Sequence, residues 1–317
     1  MPSLPESYSS LPLQHIRISH VPATSPTPTP VILITLYRPG KHNAFTETMA
    51  IELETAFTTL SLDPRVKTIV VTGHGRIFCA GADLEASSDL SSSSPSSPSS
   101  TADINNARRN HRDTGGRVTL AIHRCSKPVI AAINGSAVGV GITMTLPMSI
   151  RVVSSSAKIG FVFARRGIVM EAASSYFLPR LIGLSRAMHL VTTGSVYPST
   201  SPLLSSLFSE VVAQGSVLDR ALEIAADVAA NTSTVSTALM LDLMWRGPGS
   251  AEEAHLLDSK VLKEVFEGAD KKEGVESFLE KRDPRFEGDM GRDAPSVWPW
   301  WGAVDVRNKE GEGRSKL

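Results

Sequence analysis

The chain has 317 residues, 41% hydrophobic, 6% aromatic and 20% charged, with Lys+Arg 32 against Asp+Glu 32. That length suits one large domain, or a domain with an appended piece, and the apolar share is enough for a real core. Zero formal charge argues against a nucleic-acid partner, and no apolar run reaches the roughly 18 residues a membrane span needs.

Two cysteines, Cys79 and Cys125, cannot build a disulfide framework, and nothing pairs with them at zinc-ligand spacing. They suit a reducing compartment. Met1-Pro2-Ser3-Leu4-Pro5-Glu6 lacks the basic-then-apolar order of a secretory signal. At the other end, Ser315-Lys316-Leu317 follows a polar tail and reads as the peroxisomal address, so the expected compartment is the peroxisome.

In chain order, residues 1–11 read as an N-terminal arm. Residues 12–20 partly alternate, and Val31-Ile32-Leu33-Ile34-Thr35-Leu36 is a buried strand by composition. The four prolines between Pro22 and Pro30, closely spaced toward Pro30, put a loop between them. Met49, Leu53, Phe57 and Leu60 fall at helical spacing, and Thr68–Thr72 is a second buried strand. Ser87–Thr101 is mostly serine with two prolines, a low-complexity insertion.

A helix is predicted over about 102–124, then the strand Pro128–Ile133, a helical stretch near 140–148 and the strand Ile150–Val153. Further helices are predicted over 173–191, 217–231 and 251–267. Strands alternate with helices and then give way to helices. The expected fold is therefore an α/β core over 12–210, a helical section over 211–282 and a tail over 283–317.

Two glycine turns stand out. Phe78-Cys79-Ala80-Gly81-Ala82-Asp83-Leu84 follows a strand, and Asn134-Gly135-Ser136-Ala137-Val138-Gly139-Val140-Gly141 joins a strand to a helix. Small residues there let backbone N–H groups face a pocket and meet an anion, although glycines also serve simply to make tight turns. A dinucleotide fingerprint fails at Met144, where the third glycine would stand.

Taken with Ile34-Thr35-Leu36-Tyr37-Arg38-Pro39-Gly40-Lys41-His42-Asn43-Ala44-Phe45 and Phe278-Leu279-Glu280-Lys281-Arg282, these turns resemble the crotonase (enoyl-CoA hydratase/isomerase) superfamily. Order and spacing match from about residue 12 to 282; Tyr37 replaces an Asn of the family's opening pattern. The resemblance implies a spiral of strand-strand-helix units, homotrimers or pairs of trimers, and an acyl-CoA substrate. It implies no separate cofactor, because coenzyme A is part of that substrate, and no metal.

By position, the resemblance makes the backbone N–H groups of Ala82 and Val140 the oxyanion donors. It puts His42, Ala44, Ala80, Gly81, Asp83, Leu84, Gly139 and Lys281 on the substrate. Arg165 and Arg166 could meet CoA phosphates or simply face solvent, and Asp83 also suits a turn brace.

The two glutamates that hydratases of the family use fall here on Thr143 and Phe163, and neither is a base near neutral pH. Gly167-Ile168-Val169-Met170-Glu171-Ala172-Ala173-Ser174-Ser175 instead resembles peroxisomal Δ3,Δ2-enoyl-CoA isomerases, with Glu171 in place of their single glutamate. The implied activity is a double-bond shift with Glu171 as acid and base. The alternatives are a hydratase or dehydratase of a specialised peroxisomal pathway, and a non-catalytic acyl-CoA binder. The implied partners are the acyl-CoA, the peroxisomal import receptor and further copies of the chain. Trp298, Trp300 and Trp301 read as packing beyond the family core.

Overall fold

β-Branched apolar runs form the central strands. The computed structural model describes residues 4–85, 105 and 108–306. The Ser87–Thr101 stretch and the terminal tripeptide lie outside those residues.

The strands are β1 (Ile16–His20), β2 (Val31–Leu36), β3 (Thr68–Gly73), β4 (Val129–Ile133), β5 (Ala137–Val138), β6 (Ile150–Ser154), β7 (Lys158–Gly160), β8 (Val196–Pro198) and β9 (Glu210–Val212). Six of them form one sheet in the order β1-β2-β3-β4-β6-β9, and β5-β7-β8 form a second. In the larger sheet only β1 runs antiparallel to its neighbour, with Ile16 opposite Leu36; β2 pairs β3 in parallel, with Val31 opposite Thr68. Strands covered on both faces need apolar residues at both parities, which is why they read as unbroken apolar runs.

One face of the larger sheet packs Ile32, Ile34, Ile69, Val71, Ala131 and Ile133 against helices α1 (Glu47–Leu62) and α2 (Thr114–Arg124). The large side chains that α1 buries are Met49, Leu53, Phe57 and Leu60, the residues the spacing selects. Each such side chain contributes about 1.5–3 kcal/mol by burial. Thr46 starts α1 by accepting the Met49 N–H at 3.1 Å, and Asp113 starts α2 by accepting from Gly116.

The opposite parity, Val31, Val70, Ile130, Ala132 and Val152, meets α6 (Val217–Asn231). Val217, Ala221, Ala225 and Ala229 recur every four residues along α6, so small side chains bring it close to the sheet.

The intervening helices are α3 (Val140–Thr143), α4 (Ser174–Ile182) and α5 (Leu184–Thr193). After α6 come α7 (Thr234–Arg246), α8 (Ala251–Phe266), α9 (Ala269–Glu280) and α10 (Met290–Asp293), a helical C-terminal section. The α/β architecture with a helical C-terminal section is as expected.

Trp298 and Trp300 pack on that section. Trp298 Nε1 donates to Asp242 at 3.0 Å, and Trp300 Nε1 to the Arg246 carbonyl at 3.1 Å. The arm is docked through buried Tyr8, whose hydroxyl donates to Asp63 at 2.9 Å.

Three predicted helices differ from expectation. The 102–124 stretch breaks at 111–113, and α2 begins only at Thr114, capped by Asp113. The 140–148 stretch keeps only the single turn of α3: Pro147 has no N–H to give the Thr143 carbonyl and disfavours helix at Leu146, and the bonds after α3 step back three residues, from Thr145 to Ile142 and from Leu146 to Thr143. The 173–191 stretch splits into α4 and α5 at Gly183, with φ 83. Helix α7 was not expected: its apolar residues run around its circumference rather than along one stripe.

Candidate active site

The two glycine turns lie side by side. Cys79 bridges Ala137 in parallel, and the Val138 N–H donates to the Cys79 carbonyl at 3.1 Å. Gly81 adopts φ 97 and Gly139 φ 55, both in the region open to glycine. A side chain at Gly141 would strike the Cys79 carbonyl, so that glycine permits the close approach of the two turns.

Asn43 pins the first turn from beneath. Fully buried and itself at φ 55, it donates to the carbonyls of His74 at 2.9 Å and Ile77 at 2.8 Å and accepts the Arg38 N–H at 3.0 Å. Arg38 then pairs with Asp83 at 2.9 Å and reaches the Ala44 carbonyl at 2.7 Å. Asp83 therefore sits in a bracing pair behind the turn. Asn134 does similar work on the second turn, accepting the Gly73 N–H and donating to the Gly75 carbonyl.

Between the turns and α2 lies a cavity of about 230 Å³. Ala80, Gly81, Ala82, Leu84, Gly139, Val140 and Glu171 all line it, so the structure brings seven of the expected site residues together. His42, Ala44, Asp83 and Lys281 are not among its lining residues. His42 is exposed behind the first turn, its carbonyl accepting the Ala80 N–H at 3.2 Å, and Ala44 is half-buried beside it. Lys281 ends α9 at φ 55, exposed to solvent. Of the two arginines, Arg166 lines the cavity; Arg165 is occupied by the Thr193 carbonyl and the Ser195 hydroxyl.

Among the described residues, the Ala82 and Val140 N–H groups meet no acceptor. Val140 opens α3, where the first amides of a helix have no partner within the helix. Two such donors on one cavity wall can hold a charged oxygen. Phe45, Val138, Val162, Phe163 and Ile168 add apolar surface to the lining.

Glu171 supplies the ionisable group. Its Oε1 accepts the Thr143 hydroxyl at 2.6 Å. Burial drives its pKa from 4.5 up to about 7; the Thr143 bond opposes this, and the nearby negative charge of Asp113 adds to it. A carboxylate poised there can take or give a proton near neutrality. Phe163, by contrast, contributes only apolar surface.

Asp113 and Gly115, at the start of α2, also line the cavity, and sequence reasoning passed over both. A signal existed: Gly115-Gly116 is an unfavourable opening for a helix, tolerated where something must come close. Here a Cβ at Gly115 would collide with Glu171 Oε2.

Such a sheet, with paired glycine turns facing a half-buried carboxylate, defines a crotonase-like α/β enzyme. The enoyl-CoA hydratase/isomerase family model matches residues 27–289. The chain belongs to this family and shares its general enoyl-CoA hydratase/isomerase-type chemistry.

Enoyl-CoA hydratase AFT3-1 of Alternaria alternata is 48% identical over 285 residues, 90% of each chain. The 1,2-epoxyphenylacetyl-CoA isomerase of Escherichia coli is 29% identical over 265 residues, 81% of this chain and 95% of that one. The crystal structure of an enoyl-CoA hydratase from Bacillus anthracis superposes with a TM-score of 0.74 at 26% identity, covering 87% of this chain and 100% of the other.

Among the described residues no group of three or more His, Cys, Asp or Glu is placed to hold a metal ion. Nor, among them, is any helix long and apolar enough to cross a membrane.

Proposed function

We propose that the chain shifts a double bond in an enoyl-CoA, with Glu171 as its single acid and base. The carboxylate removes a proton from C2 of a 3-enoyl thioester, giving a dienolate. The Ala82 and Val140 N–H groups hold the thioester oxygen as it gains charge, each such donor being worth on the order of 3 kcal/mol. The same carboxyl group returns the proton at C4 and leaves the 2-enoyl thioester. No atom is gained or lost.

The observation that carries this reading is Glu171 in the cavity wall, raised to about pH 7, where the hydratase positions hold Thr143 and Phe163. The name of the Alternaria relative, a hydratase at 48% identity, favours a second reading in which Glu171 alone activates or releases water.

A panel of enoyl-CoAs read by absorbance and product mass separates the two. Unchanged mass with a moved double bond supports isomerisation, a gained water supports hydration, and turnover of none of them rejects both. Two further proposals accompany this one. Exposed Phe278 and Leu279 at the end of α9 suit a subunit contact in a homo-oligomer, which sedimentation would reveal as a multiple of the chain mass. Ser315-Lys316-Leu317 suits recognition by the peroxisomal import receptor; a fluorescent fusion that remains in peroxisomes without those three residues rejects it.

A further inference from the structure

We infer that Asp113 is a positioning residue that holds the Glu171 backbone in place and so aims its carboxylate. The inference deepens the acid/base reading of Glu171 and rests on it. Asp113 Oδ1 accepts two backbone N–H groups from different parts of the chain. One is Gly116 at 2.5 Å, which closes the N-terminus of α2. The other is Ala172 at 3.1 Å, 59 residues further on and directly after Glu171.

That second bond meets an unfavourable piece of backbone. Ala172 and Ala173 have φ 56 and 49, two successive left-handed residues that carry side chains. Such a conformation persists only where its surroundings over-determine it. Ser174 helps locally, its N–H and hydroxyl both donating to the Glu171 carbonyl at 3.0 and 2.5 Å. Asp113 ties the turn to a different element, α2, whose next residues shape the slot around the carboxylate: Gly115 leaves room beside Glu171 Oε2. The carboxylate is thus fixed at its tip by Thr143 and at its root by Asp113.

Asp113 also carries charge into the site. The ionisable groups around Glu171 are Asp113 on α2, Arg166 across the cavity, and Cys79 on the first glycine turn, whose buried thiol is pushed up to about 12. The negative charge of Asp113 favours the protonated form of Glu171.

The test compares Asp113→Asn and Asp113→Ala with the parent on the enoyl-CoA the parent turns over fastest, with circular dichroism to establish folding. Asparagine keeps a side-chain oxygen for both N–H groups but loses the charge. Its kcat should stay within about threefold of the parent, while the acid limb of kcat/KM moves to lower pH. Alanine removes the tie, and kcat should fall by about 10–100-fold with KM little changed, the scale of a misplaced catalytic group.

A folded Asp113→Ala enzyme with parental kcat overturns the inference, as does an Asn variant that loses kcat as the alanine variant does, since it keeps both bonds. Should the alanine variant not fold, Asp113→Ser takes its place: serine still caps α2 but is too short to reach Ala172 as well, and parental kcat in it overturns the inference. Glu171→Gln separates the two failures. Parental turnover in it rejects the base itself; lost turnover in it beside a parental Asp113→Ala rejects only the positioning role.

Discussion

The Thr143 hydroxyl donates a 2.6 Å hydrogen bond to Glu171 Oε1. Thr143 closes the turn of α3 that Val140 opens, so one short helix carries both an unpartnered N–H and the group that orients the carboxylate. A threonine cannot act as a base near neutral pH, but it can fix where a base points. That division of labour separates what loss of each residue should do.

Glu171→Gln keeps the acceptor for Thr143 and removes the base. Its kcat should fall by roughly 10²–10⁴ with the fold intact, the usual worth of a positioned general base. Thr143→Val should cost no more than about tenfold, because the base survives without its guide. The bond to Thr143 lowers the Glu171 pKa, so its loss should move the acid limb of kcat/KM to higher pH. Equal losses in the two variants would contradict the assignment.

Stability should carry the opposite mark. Folded Glu171 titrates near pH 7, against an ordinary value of 4.5. Between those values the folded chain binds more protons than the unfolded chain, so this group's contribution falls as pH rises through that window. Allowing for water's access to a half-buried side chain, the change is about 2 kcal/mol. Glu171→Gln should therefore be more stable than the parent at pH 8 by that order and near parental at pH 4.5, measured as urea midpoints. A difference independent of pH would show that the buried charge is not its source.

Local signals carried the parallel sheet and the two glycine turns. Val31–Leu36, Thr68–Thr72 and Val129–Ile133 are apolar at both parities, a pattern visible without any partner. That Glu171, Ala82 and Val140 share one cavity was legible because short motifs carry them. Asp113 was not, because its bond to Ala172 joins segments far apart in sequence. The shortening of α3 did leave a local signal, Pro147, which has no N–H for the Thr143 carbonyl and which a reading by periodicity alone passes over. Periodicity reports a face, and it does not report which long-range partner will claim an N–H.

Asn43 offers a test of the support beneath the first turn. Its amide serves the His74 and Ile77 carbonyls, with Phe78 at 3.3 Å, and no water reaches the side chain. Asn43→Ala leaves these carbonyls and the Arg38 N–H without their partner and puts alanine at φ 55. The loss should be about 3 kcal/mol, from unmet polar groups and left-handed backbone together. Thermal melting of the variant checks this, and a loss below about 1 kcal/mol would mean that other donors replace the amide.

Gly115→Ala sets helix propensity against the site. Alanine is the better helix former by about 0.8–1.0 kcal/mol, so α2 on its own should gain stability. The new methyl, however, would occupy the place of Glu171 Oε2 and stand 3.1 Å from Val140 Cγ2. A glutamate side chain can swing away more readily than backbone can move, so the carboxylate should yield and break its bond to Thr143. The expected enzyme is folded and no less stable than the parent, yet slower by about 10–100-fold in kcat, as for a displaced catalytic group. With the carboxylate driven toward water, the lost effect of burial, the larger of the two, outweighs the lost Thr143 bond, and the acid limb of kcat/KM should move to lower pH. Urea denaturation alongside a pH–rate profile tests both halves. Parental kcat with an unmoved acid limb would mean that the slot beside Gly115 is wide enough for a methyl group, and that the glycine serves the helix packing rather than the carboxylate.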